Sequence, residues 1–483
     1  MNRRTKIVAT IGPASDAPDK LRAVLLAGVD VVRLNLSHGT LDTHLVRLLT
    51  VRATAAEIGK PVAVLADLPG PKLRAGLFPD GGVFLAESQA VRLVQGSGPS
   101  SGEAIVLEEP NVLAGLVVGD RVILGDGAIT LRVSEADGAR VTAVVETGGR
   151  ISGSPGVHLP SNRTSLRAPT EEDLVLLAAM VEAGVEYVAL SFVRSAEDLR
   201  TARKVFADCV GPLPMLVAKI ETAASLANLD EILAEADAVM VARGDLGIEC
   251  PFEDVPHEQK RIIRAAVRAG KPVITATQML ESMIHAPSPT RAEVTDVAHA
   301  VFDGTDAVML SAETAIGHDP ALVVATMARI AARAEREIGY SKWNETLGPA
   351  LVRSEAGPTT SAEITDAMAN ATCVAAAGMH ATAIVCCTRT GRTARAMARF
   401  RPDALLLGMS PSAHTVRQMA LVWGVLPMRV GEYSTTDDMV WCVVEAIVSA
   451  GHAHTGDLIA VLAGAPDAPD GVTDVLRFVH VRE

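Results

Sequence analysis

The sequence predicts an α/β fold: a (β/α)8 TIM barrel with an inserted small β-barrel lid domain and a C-terminal α/β domain. Eight short apolar, β-rich runs alternate with amphipathic helical stretches, which is typical of a parallel sheet covered by helices. Polar residues stand at the C-terminal end of nearly every run, where a barrel places its active site. An open doubly wound sheet is the alternative, and these strand ends favour the barrel over it.

The barrel strands are predicted from runs that begin at eight positions along the chain. In order they read KIVATIG, VVRLNLS, VAVLADL, YVALSFV, LVAKIE, AVMVARGDL, PVITATQ and AVMLSAE. The stretches between them, such as DKLRAVLLAGV and HEQKRIIRAAVRAG, have the spacing of amphipathic helices. The predicted barrel spans 1–70 and 161–340.

The segment 71–160 differs from the barrel units in its composition and in the spacing of its apolar residues. It is rich in Gly and Val and contains period-two runs such as GDRVILGDGAITLRV, which predict a small antiparallel β domain. Inserted in a barrel loop, such a domain can act as a lid.

The C-terminal part of the chain repeats the αβ alternation after a break. A long Ala/Arg helix from Pro320 to about Ile338 leads into a loose segment, Gly339 to Thr360. Helical and apolar runs then resume at Ser361, and 355–483 is predicted to be a C-terminal α/β regulatory domain.

Composition excludes several classes of function. The formal charge of −13 argues against a general nucleic-acid or anionic-membrane binder. No apolar run approaches the roughly twenty residues of a membrane span, and Gly12-Pro13 ends the N-terminal run too early for a secretory signal. The six cysteines show no metal-binding spacing, so we expect reduced thiols in a cytoplasmic protein.

The second and third strands end in polar residues. Period two places Arg33, Asn35 and Ser37 on one face, and an arginine in a barrel lumen is costly unless it pairs with an anion. Asp67 closes the third strand before a Pro-Gly-Pro exit, and Arg74 could reach back as a second anion clamp. A solvated strand end and an ordinary domain-boundary turn are the plainer interpretations.

The fifth, sixth and seventh strands add a cationic and acidic set. Lys219 and Glu221 stand at i and i+2, Gly244 and Asp245 end the sixth run, and Thr277 offers a hydroxyl. Two carboxylates without a His or Cys cluster suit Mg²⁺. The alternatives are a structural Lys–Glu pair at the rim and a threonine that reflects only β propensity.

Together these residues favour metal-dependent phosphoryl transfer. Two arginines, a lysine, two carboxylates and a hydroxyl would neutralise and align a phosphoryl group, and no His or Cys is placed as a nucleophile. Neither a Walker A sequence nor a protein-kinase Gly-rich loop occurs.

Long motifs across essentially the whole chain resemble the pyruvate kinase family. They are KIVATIGPAS, RLNLSHG, AKIET, MVARGDLG, ITATQMLESM, PTRAEVTDVAHAVFDGTDAVMLSAETA and STTDD. The resemblance implies phosphoryl transfer from phosphoenolpyruvate to ADP, giving pyruvate and ATP, the last step of glycolysis. It also implies a homotetramer.

The resemblance also implies roles for individual residues. Arg33 and Arg74 would clamp the phosphoryl group, and Lys219 would stabilise charge on it and on the enolate oxygen. Glu221 and Asp245 would bind Mg²⁺, which Mn²⁺ could replace. The substrate would further meet the backbone of Gly244 and Asp245 and the hydroxyl of Thr277, near the path that protonates the enolate. The nucleotide would face Asn35, His38 and Arg74.

One departure from the family concerns K⁺. The family pattern Asp-Thr-Lys-Gly-Pro-Glu-Ile-Arg reads here Asp-Leu-Pro-Gly-Pro-Lys-Leu-Arg from Asp67 to Arg74, so Lys72 replaces a glutamate. In most members the positions matching Asn35, Ser37, Asp67 and the Leu68 carbonyl hold K⁺. Because an ammonium could supply that charge, we predict that K⁺ is not required; a surface lysine is the alternative.

Two further departures concern the nucleotide and an effector. Pro155 replaces a family lysine thought to touch nucleotide phosphates, which leaves nucleotide preference open. A loop before a helix predicts a phosphate site for a sugar phosphate or AMP. It comprises Thr388, Arg389, Thr390, Gly391, Arg392 and Thr393. A plain helix cap is the alternative, and Asp474, beside Thr473, would add unfavourable negative charge.

Two other functions compete. A Mg²⁺-dependent lyase or aldolase of the phosphoenolpyruvate/pyruvate barrel type would share the carboxylates and an enolate but transfer no phosphate. A non-catalytic metabolite sensor would not need the intact set of Lys219, Glu221, Asp245 and Thr277. The predicted lid and the two arginines favour the kinase.

Overall fold

The computed structural model describes residues 3–125, 127–138, 140–164, 166–339, 343, 360–464 and 472–482. The predicted loose segment Gly339 to Thr360 lies, apart from its two end residues and Trp343, outside the described residues. All six cysteines are free. None of the described helices combines the length and apolar character that crossing a bilayer requires.

The chain begins with three strands and two helices of a barrel. The strands are β1 (Lys6–Thr10), β2 (Val31–Asn35) and β3 (Ala63–Asp67), and the helices are α1 (Pro18–Ala27) and α2 (Leu41–Glu57). Pro18 occupies the first turn of α1, where its missing N–H costs nothing. The Thr40 side chain caps α2 by accepting a hydrogen bond from the Thr43 backbone N–H.

A β-rich insertion follows β3. Its strands are β4 (Leu73–Arg74), β5 (Val83–Leu85), β6 (Ala90–Gln95), β7 (Ala104–Leu107), β8 (Arg121–Leu124), β9 (Ile129–Asp137), β10 (Arg140–Thr147), β11 (Gly149–Ile151) and β12 (Gly156–His158). Seven of them form one sheet in the order β4-β12-β8-β9-β10-β6-β7, and β11 pairs with β5. A single bridge between Ala75 and Leu107 joins the two edges of the larger sheet. The insertion has its own apolar core, separate from that of the barrel.

The remaining barrel units follow the insertion. The strands are β13 (Tyr187–Leu190), β14 (Met215–Ile220), β15 (Ala238–Ala242), β16 (Val273–Ala276) and β17 (Ala307–Leu310). The helices are α3 (Glu171–Glu182), α4 (Ala196–Lys204), α5 (Ala223–Ala227), α6 (Leu229–Glu235), α7 (Arg243–Glu249), α8 (Val255–Arg268), α9 (Arg291–Asp303), α10 (Ala312–Ala315) and α11 (Pro320–Glu335). Capping boxes begin α3 and α9, at Thr170 and Thr290.

The eight parallel strands close into a barrel in the order β1-β17-β16-β15-β14-β13-β3-β2. The predicted (β/α)8 fold is therefore confirmed. One set of strand residues, including Val31, Leu65 and Val217, packs inside the barrel, and the alternate set packs against the surrounding helices. The strands are apolar on both faces for this reason.

The C-terminal α/β domain contains β18 (Ala383–Cys387), β19 (Leu405–Ser410), β20 (Val425–Arg429), β21 (Leu458–Ala463) and β22 (Val475–His480). Its helices are α12 (Ser361–Gly378), α13 (Arg392–Ala398), α14 (Ala413–Gln418) and α15 (Thr436–Ser449). The sheet order is β20-β19-β18-β21-β22, with only β22 antiparallel to its neighbour. Ala420 and Leu421 of this domain pack into the inner core of the barrel. They close its N-terminal end, opposite the mouth where the strands finish.

Candidate active site

Strand alternation carries polar side chains into the barrel mouth. The inner residues of β2, β3 and β14 are apolar at the start of each strand and polar towards its C-terminal end. The first polar inward residue of each strand is Arg33, Asp67 and Lys219, respectively. The three side chains come from different strands, yet each contacts at least one of the others.

Arg33 and Asp67 form a buried ion pair. The Arg33 Nε lies 2.6 Å from Asp67 Oδ2, and Arg33 Nη1 donates to Thr10 Oγ1 at 3.0 Å. Burial alone would raise the pKa of Asp67, but the charges of Lys219 and Arg33 lower it. The arginine predicted as an anion clamp thus holds a protein carboxylate in this structure.

Lys219 links this pair to Glu221. Its Nζ lies 3.5 Å from Asp67 Oδ1 and 3.3 Å from Glu221 Oε2, and it donates to Ser191 Oγ at 2.7 Å. Although burial opposes the charge, the Asp67, Glu221 and Asp245 carboxylates raise the pKa of Lys219. The ammonium group is therefore charged at neutral pH.

Ser191 is a site residue that the sequence reasoning missed. Besides binding Lys219, its hydroxyl donates to the Leu68 carbonyl at 2.7 Å, which is one of the groups predicted to hold K⁺ in relatives. The signal was present in the run YVALSFV, where Ser191 stands two residues after an inward-facing alanine.

Glu221 is completely buried at the centre of the mouth. Its Oε1 accepts the Phe192 backbone N–H at 2.6 Å, whereas Oε2 has no hydrogen-bond partner among the described residues. Burial raises the pKa of Glu221 to about 7, since Lys219 offsets only part of the cost and Asp245 adds to it. A buried carboxylate oxygen in this state is well suited to receive a cation.

The carboxylates of Glu221 and Asp245 fit a hard divalent ion. No cluster of three or more His, Cys, Asp or Glu that could hold a metal occurs in the part of the chain that the structure describes. Two carboxylates alone leave several positions for water and substrate oxygens, which is how Mg²⁺ is commonly bound. The Glu221 oxygen Oε2, which accepts no hydrogen bond among the described residues, supports this fit.

The structure corrects the predicted ends of the sixth and seventh strands. β15 ends at Ala242, so Gly244 and Asp245 lie in the first turn of α7 and not on the strand. β16 ends at Ala276, and Thr277 follows in a left-handed turn with φ 69°. Both differences arise because the chain leaves the barrel here through local turns, which strand periodicity does not encode. The Gly244 N–H donates to Thr277 Oγ1 at 2.8 Å and joins the two segments.

A cleft of about 380 Å³ lies between the β-rich insertion, which is the predicted lid, and the barrel mouth. Its lining includes several residues singled out in the sequence: His38, Lys72, Arg74, Pro155 and Asp245. Arg74 is exposed and donates to the Ser154 carbonyl of the lid at 3.1 Å. Lys72 Nζ donates to Ser37 Oγ at 3.3 Å, and the Ser37 backbone N–H donates to Asn35 Oδ1 at the same distance. Arg74 and His38 therefore line the cleft, and the Arg33–Asp67–Lys219–Glu221 cluster lies buried in the mouth.

The predicted effector loop lies in the C-terminal domain and not at the mouth. Thr388 follows β18 and Gly391 precedes α13, so the loop does stand between a strand and a helix. Thr393 Oγ1 lies 2.8 Å from Thr473 Oγ1, and the Arg389 carbonyl accepts the Thr415 hydroxyl at 2.8 Å.

Comparison with known proteins gives one consistent family. The family model described as pyruvate kinase, barrel domain, matches residues 2–324, and the model described as pyruvate kinase, alpha/beta domain, matches 366–479. The pyruvate kinase of Methylorubrum extorquens is 41% identical over 480 residues, covering 99% of this chain and 98% of that protein. That of Mycobacterium tuberculosis is 38% identical over 483 residues, covering 100% and 99%.

A solved structure agrees with this assignment. The crystal structure of a pyruvate kinase from Cryptosporidium parvum superposes with a TM-score of 0.91 at 30% sequence identity, covering 99% of this chain and 96% of that one. The matches run through the barrel, the inserted lid and the C-terminal domain alike. The chain therefore belongs to the pyruvate kinase family, which is a family of phosphotransferases.

Proposed function

We propose that this enzyme transfers the phosphoryl group of phosphoenolpyruvate to ADP, giving pyruvate and ATP, as the last step of glycolysis. The observation that carries the proposal is the buried cluster of Arg33, Asp67, Lys219 and Glu221 beneath a lid in a chain of this family. This arrangement offers the positive charge and the alignment that phosphoryl transfer requires.

Lys219 is the residue we propose to face the migrating phosphoryl group. Its ammonium group is buried, charged and fixed by Asp67, Glu221 and Ser191. A preorganised charge in a site shielded from water stabilises developing negative charge far better than one in solvent. Arg33 would add a second contact by turning part of its guanidinium from Asp67 towards the substrate, and Arg74 would approach from the lid side.

Glu221 and Asp245 are the residues that would hold Mg²⁺, with Mn²⁺ as a possible substitute. When bound, the divalent ion supplies positive charge that neutralises phosphoryl oxygens. The Gly244 and Asp245 backbone, at the start of α7, would bind the substrate carboxylate, because the N–H groups in the first turn of a helix have no partner within the helix. The Gly244 N–H would turn to the substrate from Thr277 Oγ1, to which it donates in this structure. Thr277 would contact the same substrate and lie near the path by which the enolate gains its proton.

We further propose that the reaction needs no K⁺. Lys72 brings its ammonium group to Ser37, and its charge contributes to lowering the pKa of Asp67. Ser37 and Asp67 are two of the positions that hold K⁺ in the family pattern. A positive charge at this place supports K⁺-independent activity.

The nucleotide is proposed to bind along the outer cleft, against Asn35, His38 and Arg74. Pro155 lies in the lining of the cleft at the position where the family pattern has a lysine. Affinity for the nucleotide phosphates is therefore expected to depend on Asn35, His38 and Arg74.

A sugar phosphate or AMP is proposed as an effector at Thr388 to Thr393, and a homotetramer as the assembly. The proposed domain boundaries remain 1–70 with 161–340, 71–160 and 355–483.

A coupled assay tests the proposal directly. Purified protein with phosphoenolpyruvate, ADP and Mg²⁺ should form pyruvate, and formation should cease when ADP is omitted. Pyruvate formed at the same rate without ADP would instead indicate a phosphatase or lyase activity. The Lys219→Met variant should lose activity by at least about a hundredfold while keeping the fold.

A further inference from the structure

The turn after β16 is strained. Thr277 and Gln278 have φ values of 69° and 56°, so two consecutive residues other than glycine adopt the left-handed conformation. This conformation is unfavourable for L residues, and most of all for a β-branched residue such as threonine. Such a turn persists only where its surroundings hold it in place.

Arg243 holds this turn through its backbone carbonyls. Its Nε donates to the Ala276 carbonyl at 3.1 Å, and its Nη2 donates to the Thr277 carbonyl at 2.6 Å. The guanidinium thus bridges two successive carbonyls of the strained turn. Nη2 also contacts Met279 Sδ at 2.8 Å, which extends the contact to the residue just beyond the turn.

The other side of the guanidinium is fixed as well. Nη1 donates to Asp296 Oδ1 at 2.6 Å and to Gln259 Oε1 at 3.3 Å, and the side chain is 11% exposed. A planar fork held at both ends has little freedom to move. Lysine offers its three donors from one atom and could not span the same acceptors.

Arg243 also affects the hydrogen bonds that the Thr277 hydroxyl can make. Its oxygen accepts from the Gly244 N–H at 2.8 Å, and its proton is donated to the Ala276 carbonyl at 2.7 Å. That carbonyl is the one that also accepts from Arg243 Nε. If the hydroxyl turns its proton towards a substrate, the carbonyl keeps a partner, and no buried acceptor is left unpaired.

We propose that Arg243 is a positioning residue for phosphoryl transfer. It holds the left-handed Thr277 turn and keeps the Ala276 carbonyl bonded while the Thr277 hydroxyl serves the substrate. Arg243 itself does not touch the substrate. The inference rests on the proposed function, because it concerns the hydroxyl that this function uses.

The first test is a double-mutant cycle. Arg243→Lys should lower kcat roughly a hundredfold, as misplacement of a reacting group by about 1 Å does, and should raise KM for phosphoenolpyruvate less than about threefold. In a Thr277→Val background, which lacks the hydroxyl, the same change should cost less than about threefold. Equal losses in both backgrounds would overturn the proposal.

The second test uses glycine to relieve the strain. Gln278 is exposed, and glycine adopts a positive φ readily. Adding Gln278→Gly to the Arg243→Lys variant should therefore raise its kcat at least about tenfold. In the otherwise wild-type protein it should change kcat by less than about threefold. It should also raise the melting temperature of Arg243→Lys more than that of the wild type.

The outcomes separate this inference from the proposed function. A wild-type protein without ADP-dependent pyruvate formation would refute the function, and the melting temperatures would still report whether Arg243 supports the turn. An active wild type in which Gln278→Gly rescues neither activity nor stability would refute the positioning role. An Arg243→Lys protein too unstable to isolate, and not restored by Gln278→Gly, would refute it equally.

Discussion

The ammonium nitrogen of Lys72 lies 3.3 Å from the side-chain oxygen of Ser37, across the boundary between lid and barrel. Lys72 is the second residue of the lid segment, and Ser37 follows the second barrel strand. The contact places the Lys72 ammonium group close enough to Asp67 to help lower the pKa of that carboxyl. Lys72 stands where the family pattern has a glutamate, beside the site that the pattern implies for K⁺.

We therefore expect activity without K⁺. In buffer containing tetramethylammonium as the only monovalent cation, the rate should be within about twofold of the rate in KCl, because the charge near Asp67 is already present. Lys72→Glu should be slow without K⁺ and recover when K⁺ is added. Wild-type activity that appears only on addition of K⁺ would contradict this account of Lys72.

Replacing Glu221, a carboxylate proposed to hold Mg²⁺, should weaken metal binding without unfolding the protein. Glu221→Gln should raise the Mn²⁺ concentration for half-maximal activation by at least about a hundredfold, since even outer-shell partners of a ligand contribute about 10–100-fold. Electron paramagnetic resonance of Mn²⁺ gives the affinity independently of activity. Glu337→Gln, on the exposed surface near the end of α11, is the matched control and should bind Mn²⁺ like the wild type. Equal affinities in all three proteins would show that Glu221 is not a ligand.

One buried carboxylate of the barrel, that of Glu186, bonds the barrel to the C-terminal domain. Glu186 is fully buried and accepts hydrogen bonds from Arg52 at 2.8 Å, from Arg417 of α14 at 2.6 Å and from the Val64 N–H at 2.8 Å. Glu186→Ala would leave two partly buried arginines without their carboxylate partner and should destabilise the protein by about 1–3 kcal/mol.

Urea denaturation measures this change, with Arg333→Ala as control. Arg333 pairs with Glu337 on the exposed surface of α11, where a pair contributes no more than about 0.5 kcal/mol. A Glu186→Ala loss no larger than that of the control would show that the ion-pair cluster does not stabilise the contact.

A pH dependence of stability should arise from Lys6, whose Nζ donates to the Val425 carbonyl across the same contact at 2.7 Å. Burial lowers the pKa of Lys6 from 10.5 to about 8. The folded protein thus binds this proton less tightly than the unfolded chain, so the charged form destabilises the fold below pH 8. That penalty disappears as the pH rises towards 10.5.

The measurement is the unfolding free energy of the wild type minus that of Lys6→Met, followed from pH 7 to 10.5. The difference should rise by up to about 3 kcal/mol, because each unit of pKa shift corresponds to about 1.4 kcal/mol. Lys20→Met, at an exposed position of α1, controls for loss of a positive charge. A difference that stays constant or falls with pH would contradict the burial argument.

Much of the fold could be predicted because the barrel strands are apolar on both faces and finish in polar residues. The same alternation that makes Val31 and Leu65 inner residues predicts that Arg33 and Asp67 enter the mouth. The family motifs in the sequence predicted membership of the pyruvate kinase family, which the comparisons confirm. Local periodicity predicts which way a side chain points only within a strand, up to its last residue.

Beyond the strand ends, contacts between distant segments decide the structure. Arg243 and Thr277 are separated by 34 residues, and Glu186 and Arg417 by 231. Nothing in the spacing of a sequence encodes that a guanidinium will bridge the Ala276 and Thr277 carbonyls. The left-handed turn at Thr277 is also disfavoured by its own residues, since local propensity predicts a negative φ for threonine and glutamine.

The fate of the phosphorus tests the central proposal most directly. Phosphorus NMR of the protein with phosphoenolpyruvate, ADP and Mg²⁺ should show the substrate signal replaced by the γ-phosphate signal of ATP, in equal amount to the pyruvate formed. Inorganic phosphate in place of ATP, or pyruvate formed without loss of ADP, would contradict the assignment of this site to phosphoryl transfer.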